Sequence, residues 1–352
     1  MSEVVEVQRS RLAATSIATT VAVDGRSYEL EITADRRLAP AAPGDVWLPV
    51  ALLVAMSRGS DLRLHDPVSR RLLRSVDVIQ DILSTWHPGL QRVGVIAPAS
   101  RRPGSRRAGR VMQTFTGGVD SYFSLITSPE VTDLVYLHDR VHDIPEVRTR
   151  MRAHLAGAAA AAGRELHQVE HHVRHLLDRY AEWGTQSHGA VIVACAAALT
   201  REPSTLRIPA SNSYRELHPH GTHPLLDPLW SGDRLTVVHH GATHSRLGKV
   251  ARIADDPGAL AHLRVCWRTQ STINCGECEK CLRTMTALEL VGRLGDSSTF
   301  PRRLDVPALA AAVLGSPGQA QSARELRDLA QARGRDDIAH AFEEQLDRYS
   351  AG

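Results

Sequence analysis

The sequence predicts an α/β fold, a parallel sheet with helices on both faces, joined to a small α+β N-terminal module. Three observations predict it. From about residue 110 onward, short β-type runs alternate with helical ones, the rhythm of a wound parallel sheet. One of those runs, DLVYL at Asp133–Leu137, has the near-continuous apolar character of a strand covered on both faces. A glycine pair also stands where a strand passes into a helix, at TFTGGVDSYFSLI, Thr114–Ile126.

The elements follow in order. TTVAVDGRSYELEI alternates apolar and polar residues about a DG pair, the mark of a β-hairpin. Val46–Met56 is an apolar run, Val68–Trp86 is helical, and Val93–Ala97 is a short strand. Pro, Gly and Arg then mark a boundary. Arg110–Phe115 is a strand and Ser121–Ile126 starts a helix. Asp133–Leu137 is a strand, Val147–Ala162 an alanine-rich helix, and Glu165–Val169 strand-like. The small residues of Ala190–Leu199 favour a helix; Leu206–Pro209 and Leu235–His239 are strands. The expected division is a module over 1–108, a second domain over 109–300, and a charged helical segment, otherwise featureless, over 301–352.

With 352 residues, 43% of them hydrophobic, the chain can bury a large core. It shows neither a long apolar span nor the apolar region of a secretory signal, so a cytoplasmic enzyme-like protein is expected, with no membrane partner. A formal charge of +3 does not point to nucleic acid, although Ser100–Arg110 carries five arginines, as a solvated linker or a phosphate-contacting loop would. Of 42 basic residues only Lys249 and Lys280 are lysines. A position that keeps lysine in so arginine-rich a chain is a candidate for needing the compact ammonium.

The glycine pair admits two readings. A strand, TGGVDS and a helix place backbone N–H groups at a helix N-terminus, a ready anion site with Thr116 and Ser121 as added hydroxyl donors. The other reading is a plain turn. Asp120 would repel a bare phosphate, so it serves either a magnesium ion or a helix cap. The stretch matches neither GxxxxGK[ST] nor GxGxxG.

Four of the five cysteines, Cys266, Cys275, Cys278 and Cys281, follow the spacing C-x8-C-x2-C-x2-C. Four clustered thiols suit a closed tetrahedral zinc site, with an iron–sulfur cluster as the alternative. Gly276 permits the bend, and the first ligand is expected at a strand end. Cys195, in AVIVACAAAL, reads as a buried packing thiol.

FTGGVDS resembles the SGGxDS loop of the PP-loop ATP pyrophosphatase family, a fold of the HUP type. The cysteine spacing beyond it is similar to that of 7-cyano-7-deazaguanine synthase-like members. The resemblance covers roughly 110–292. It implies an ATP site at Phe115, Thr116, Gly117, Gly118, Val119, Asp120, Ser121 and Leu137, with magnesium, and a zinc knuckle over 266–281. It also implies that Asp120, Arg246 and Lys249, the last two in HHGATHSRLGKVARIA, serve catalysis by holding anionic oxygens. The activity implied is adenylation of a carboxylate or carbonyl oxygen for attack by ammonia or an amine, giving an amide or nitrile, with AMP and pyrophosphate released. Alternatives on the same fold are an RNA-base thiolase, a protein-modifying enzyme, or an ATP-binding sensor without activity. The acceptor is expected to be a small molecule, with RNA or protein as alternatives, and a homodimer is compatible.

Two histidine-rich stretches complete the reading. HQVEHHVRHLL sets His167, His171 and His175 four apart on a potential helix face, a solvated face or a metal-ligand set. NSYRELHPHGTHPLLDPLW, following a strand, is expected to contribute Asn212, Tyr214, His223, Asp227 and Trp230 to the acceptor pocket, or to be a structural loop.

Overall fold

The computed structural model describes residues 4–100, 109–139, 144–200, 202, 204–266, 268 and 273–351. Residues 101–108, which hold most of the arginine-rich linker and the expected boundary, lie outside the described residues.

The chain runs β1 (Val5–Val7), β2 (Arg11–Leu12), β3 (Ser16–Val23), β4 (Arg26–Ala34), α1 (Gly44–Arg58), β5 (Leu62–Leu64), α2 (Arg70–Trp86) and β6 (Val95–Ile96). It continues with β7 (Val111–Thr114), α3 (Val119–Ile126), β8 (Asp133–Asp139), α4 (Pro145–Ala161), β9 (Glu165–His172), α5 (Arg174–Leu177) and α6 (His188–Leu199). Next come β10 (Ser204–Pro209), β11 (Leu235–His240), α7 (Arg246–Ile253), α8 (Pro257–His262), α9 (Glu279–Leu290), α10 (Val306–Ala311), α11 (Pro317–Ala332) and α12 (Asp336–Ala351).

The eleven strands of the described residues form one sheet, in the order β11-β10-β7-β8-β9-β4-β3-β1-β5-β6, with β2 beside β3. The block β11-β10-β7-β8-β9 is parallel throughout. The N-terminal hairpin then joins it antiparallel, β4 against β9, so the N-terminal strands continue the same sheet. The hairpin turn is made by Asp24 and Gly25, both at positive φ (52° and 67°), as the DG pair predicts.

Helices cover both faces because the strand side chains alternate. Met112, Val135, Val169, Leu206, Ile208 and Val237 pack with α1, α2 and α6. Phe115 and Leu134 face the other way, into the core shared with α3, α4 and α7 to α12. The apolar run Val46–Met56 is α1, a helix buried on nearly every side. The N-terminus of α2 is closed from far along the chain: the Asp233 carboxylate accepts from the N–H of Arg70 (3.2 Å) and of Arg71 (3.1 Å).

The histidine stretch is strand and not helix. His167 and His171 lie in β9 with both rings buried, and His175 belongs to the short α5. Alternating burial along Glu165–His172 wins over the four-residue spacing, because positions four apart share a face in a strand as well. No helix among the described residues is long and apolar enough to cross a membrane.

Candidate functional site

A cleft of about 1500 Å³ opens at the C-terminal ends of the parallel strands. Its lining includes Thr114 at the end of β7 and Thr116 just beyond it, Tyr136–Asp139 at the end of β8, and Ile208 and Pro209 at the end of β10. β8 and β9 extend the sheet on one side of β7, and β10 and β11 on the other. The crevice between β7 and β10 is therefore the switch point where open α/β sheets place their ligands.

The glycine turn sits at that crevice. Gly117 has φ +72°, and a Cβ there would lie 3.4 Å from Leu155 Cδ2. Gly118 is the N-cap of α3. Ser121 Oγ donates to Gly118 O (2.9 Å), and Gly118 N donates to Thr116 Oγ1 (3.3 Å). The Arg264 N–H donates to Gly117 O (2.7 Å), which ties the turn to the segment leading into the cysteines.

Asp120 is the hub. Its Oδ2 accepts from Arg246 Nη1 at 2.6 Å, and its Oδ1 from Lys249 Nζ at 3.1 Å. Lys249 is 1% exposed and also donates to Ala210 O, just past β10. One compact ammonium thus joins the turn after β7 to the end of β10. Burial pushes the Asp120 carboxyl up, but the charges of Arg246 and Lys249 and their hydrogen bonds outweigh it and hold the group below the usual carboxylate range. A lowered carboxyl stabilises the fold above the unfolded value near ~4 and loses that contribution as pH falls through the folded value. The Asp120 pairing is therefore expected to weaken only in acid, as an acid-limb loss of stability that Asp120→Asn lacks.

Both Asp120 oxygens are ion-paired, and among the described residues the groups of three or more possible metal ligands are the four cysteines and Asp133–Glu165–His167. In the latter set, Arg110 donates to Asp133 and Glu165, which makes it an ion-pair network.

The structure brings many of the expected residues to one place. Thr116, Gly118, Val119, Asp120, Ser121, Leu137, Asn212 and Arg246 line the cleft. Phe115 does not; it is buried in the core, edge-on to Tyr122. Four of the residues expected at the acceptor are elsewhere. Tyr214 is 58% exposed, Trp230 is buried in the core, and His223 is buried edge-on to Trp86. The Asp227 carboxylate is enclosed, accepting from the His223 N–H (3.1 Å) and meeting His239 Nδ1 at 2.7 Å. Asp227 and Trp230 thus stabilise the loop from inside, while Asn212, Arg215, Glu216, His218 and His220 of the same loop line the cleft.

Arg174, Trp183 and His188 line the cleft without having carried a sequence signal. Arg174 stacks over Trp183 at 4.3 Å, on a single π-helical turn, Trp183–Ser187. His188 and His220, with centroids 4.8 Å apart, face the cleft nearby. Burial, then the neighbouring His220, pushes His188 down to about 4, so its ring is neutral near pH 7. Two glycines enforce this juxtaposition: a Cβ on Gly189 would meet Gly221 O at 1.9 Å. Gly189→Ala is expected to lower stability by about 1–3 kcal/mol, the scale of overpacking, as a fall in urea midpoint. Arg264, Lys280, Arg283 and the first turn of α11 complete the lining.

The four cysteine thiols lie together behind the cleft. Their Sγ atoms all fall within 4.8 Å of one another, with Cys266 and Cys278 3.9 Å apart and Cys275 and Cys281 3.8 Å apart. A tetrahedral zinc with ~2.3 Å bonds needs sulfurs about 3.8 Å apart, so the set fits. Cys266 does not come from a strand end but from the irregular segment after α8. Gly276 bends at φ +79°, and Cys278 is the N-cap of α9. Cys195 is fully buried in α6, and burial pushes its thiol up. Comparison of the chain with protein-family profiles, curated proteins and solved structures gave no match.

Proposed function

We propose that the chain is an ATP-dependent adenylating enzyme of the PP-loop type, which activates a carboxylate or carbonyl oxygen for attack by ammonia or an amine. The observation that carries the reading is the Asp120–Arg246–Lys249 cluster beneath a glycine turn at the sheet's switch point. Arg246 and Arg264 line the cleft with the glycine turn and give that wall positive charge.

The chemistry follows from charge. The acceptor oxygen bonds to the α-phosphorus of ATP. The bond from that phosphorus to the bridging oxygen breaks, and its electron pair leaves on pyrophosphate. Arg246 and Lys249, fixed in advance by Asp120, meet the charge that grows on the phosphate oxygens. Nitrogen then attacks the activated carbon, loses a proton and expels AMP. Pre-positioning is the catalytic contribution of Asp120. Zinc would be held by Cys266, Cys275, Cys278 and Cys281 and would serve structurally, fastening the segment that leads from Arg264 to α9.

A sulfur relay has no thiol to use in this arrangement, since Cys195 is enclosed and the others are gathered together. The small-molecule acceptor is preferred because a cleft of about 1500 Å³ has room for a nucleotide and one further small ligand. The test is incubation with radiolabelled ATP and candidate acids. AMP and pyrophosphate in equal amounts support the reading, and ADP with phosphate would exclude it.

A further inference from the structure

We propose that His188, His218 and His220 form the docking station of the incoming nitrogen, their Nε2 atoms accepting hydrogen bonds from the N–H groups of ammonia or a primary amine. This rests on the adenylation reading and names where its nucleophile binds.

The chemistry of the station follows from which ring atoms are already used. His188 Nδ1 lies 3.2 Å from Trp183 O, His218 Nδ1 2.9 Å from Glu216 O, and His220 Nδ1 3.2 Å from Thr222 O. A carbonyl oxygen only accepts, so each Nδ1 carries the hydrogen and donates it. In a neutral imidazole the other nitrogen then holds a lone pair. Burial pushes the His188 and His220 rings down, His188 to about 4, so both keep that lone pair near pH 7. All three residues line the cleft, with ring centroids 4.8 Å apart for His188 and His220 and 5.8 Å apart for His218 and His220. These rings suit N–H groups. Phosphate and carboxylate oxygens, which only accept, find no partner on them.

The backbone is shaped to hold the rings there. Gly221 N–H donates to Gly184 O at 3.1 Å, which joins the histidine loop to the π-helical turn. A Cβ on Gly221 would lie 2.5 Å from His188 Nδ1, so only glycine lets the ring sit against that backbone. The Glu182 carboxylate accepts from Gly184 N–H at 2.8 Å, and its negative charge acts on both His188 and His220. That charge draws ammonium, in equilibrium with ammonia, towards the rings.

Ammonia held by its N–H groups keeps its own lone pair free. That pair bonds to the activated carbon, and the carbon–oxygen bond to AMP breaks with its electron pair leaving on the phosphate. The extra proton on nitrogen passes to an Nε2 lone pair and from there to water.

The experiment uses the full-length protein at verified zinc content, with isotope-labelled histidine. Ring-nitrogen resonances are followed through titrations with ammonium chloride and with tetramethylammonium chloride, which has the charge and no N–H. His218 is exposed, so His218→Phe keeps the fold, and His220→Phe is read beside its unfolding midpoint. The two rings these variants assign are expected to be Nδ1–H tautomers whose Nε2 signals move with ammonium alone. In turnover with an acid that supports AMP release, each variant should raise the ammonium KM about three- to tenfold, the loss of one hydrogen bond, and move the acid's KM less than about twofold.

An Nε2–H tautomer at either ring, or equal shifts with both salts, overturns the station. So does a variant that raises the acid's KM in place of ammonium's, because the rings then hold a group of the acceptor. If ammonium alone moves the rings while ATP yields no AMP, the adenylation reading falls and the station stands as an ammonium site. If AMP forms while the two salts act alike, the station falls and adenylation stands.

Discussion

Lys249→Met is expected to lower ATP-dependent AMP formation by about 100- to 1000-fold, the effect of removing one preorganised charge from the reacting phosphate. The side chain is 1% exposed and donates to both Asp120 and Ala210 O. Its loss leaves Asp120 with Arg246 alone and leaves a buried carbonyl without its donor, at a further stability cost of about 1–3 kcal/mol. Lys249→Arg should not rescue turnover, because a planar guanidinium does not fit where an ammonium is fully enclosed. Radiolabelled AMP formation measures the first effect and urea unfolding the second. Turnover within about threefold of wild type in Lys249→Met would remove the catalytic role, since it leaves less than 1 kcal/mol for that charge.

Cys281→Ser is expected to release the bound zinc and to destabilise the C-terminal helices by several kcal/mol, since a structural ion's binding energy is folding energy. Cys281 is fully buried at the start of α9, against the core shared with α11 and α12. Elemental analysis before and after a strong chelator, with loss of helical signal, reports it. An iron–sulfur site would instead show visible absorption and iron. Burial pushes the Cys278 and Cys281 thiols up, so thiolate formation on metal binding must release protons. Metal affinity is therefore expected to fall as pH is lowered. Full metal retention in Cys281→Ser would contradict the four-ligand site.

The parts of this fold legible in sequence were those carried by period and by backbone. The DG turn, the strand–glycine–helix passage and the buried strand DLVYL all matched, because short-range sterics and two-sided burial decide them. The cysteine spacing was legible for the same reason: ligand geometry leaves few arrangements. The acceptor loop was legible only in part: Asn212, Glu216 and His220 line the cleft. His223, Asp227 and Trp230 have the chemistry of a binding site, but their partners are His239, Trp86 and the core, which only the three-dimensional path reveals. Arg174 over Trp183, and α11 opposite α9, join residues far apart in the chain, with no local pattern to announce them. The histidine spacing misled because a four-residue interval satisfies a strand face as well as a helix face.

The antiparallel pairing of β4 with β9 bears on how the protein can be cut. Four residues of β9, from Val169 to His172, are matched to Ala34–Glu31 of the hairpin. A version trimmed to begin near residue 109 would strip that cover and leave β9 as a naked sheet margin with open backbone donors and acceptors. Such margins recruit strands from other molecules, so the trimmed protein is expected to clump rather than stay dispersed.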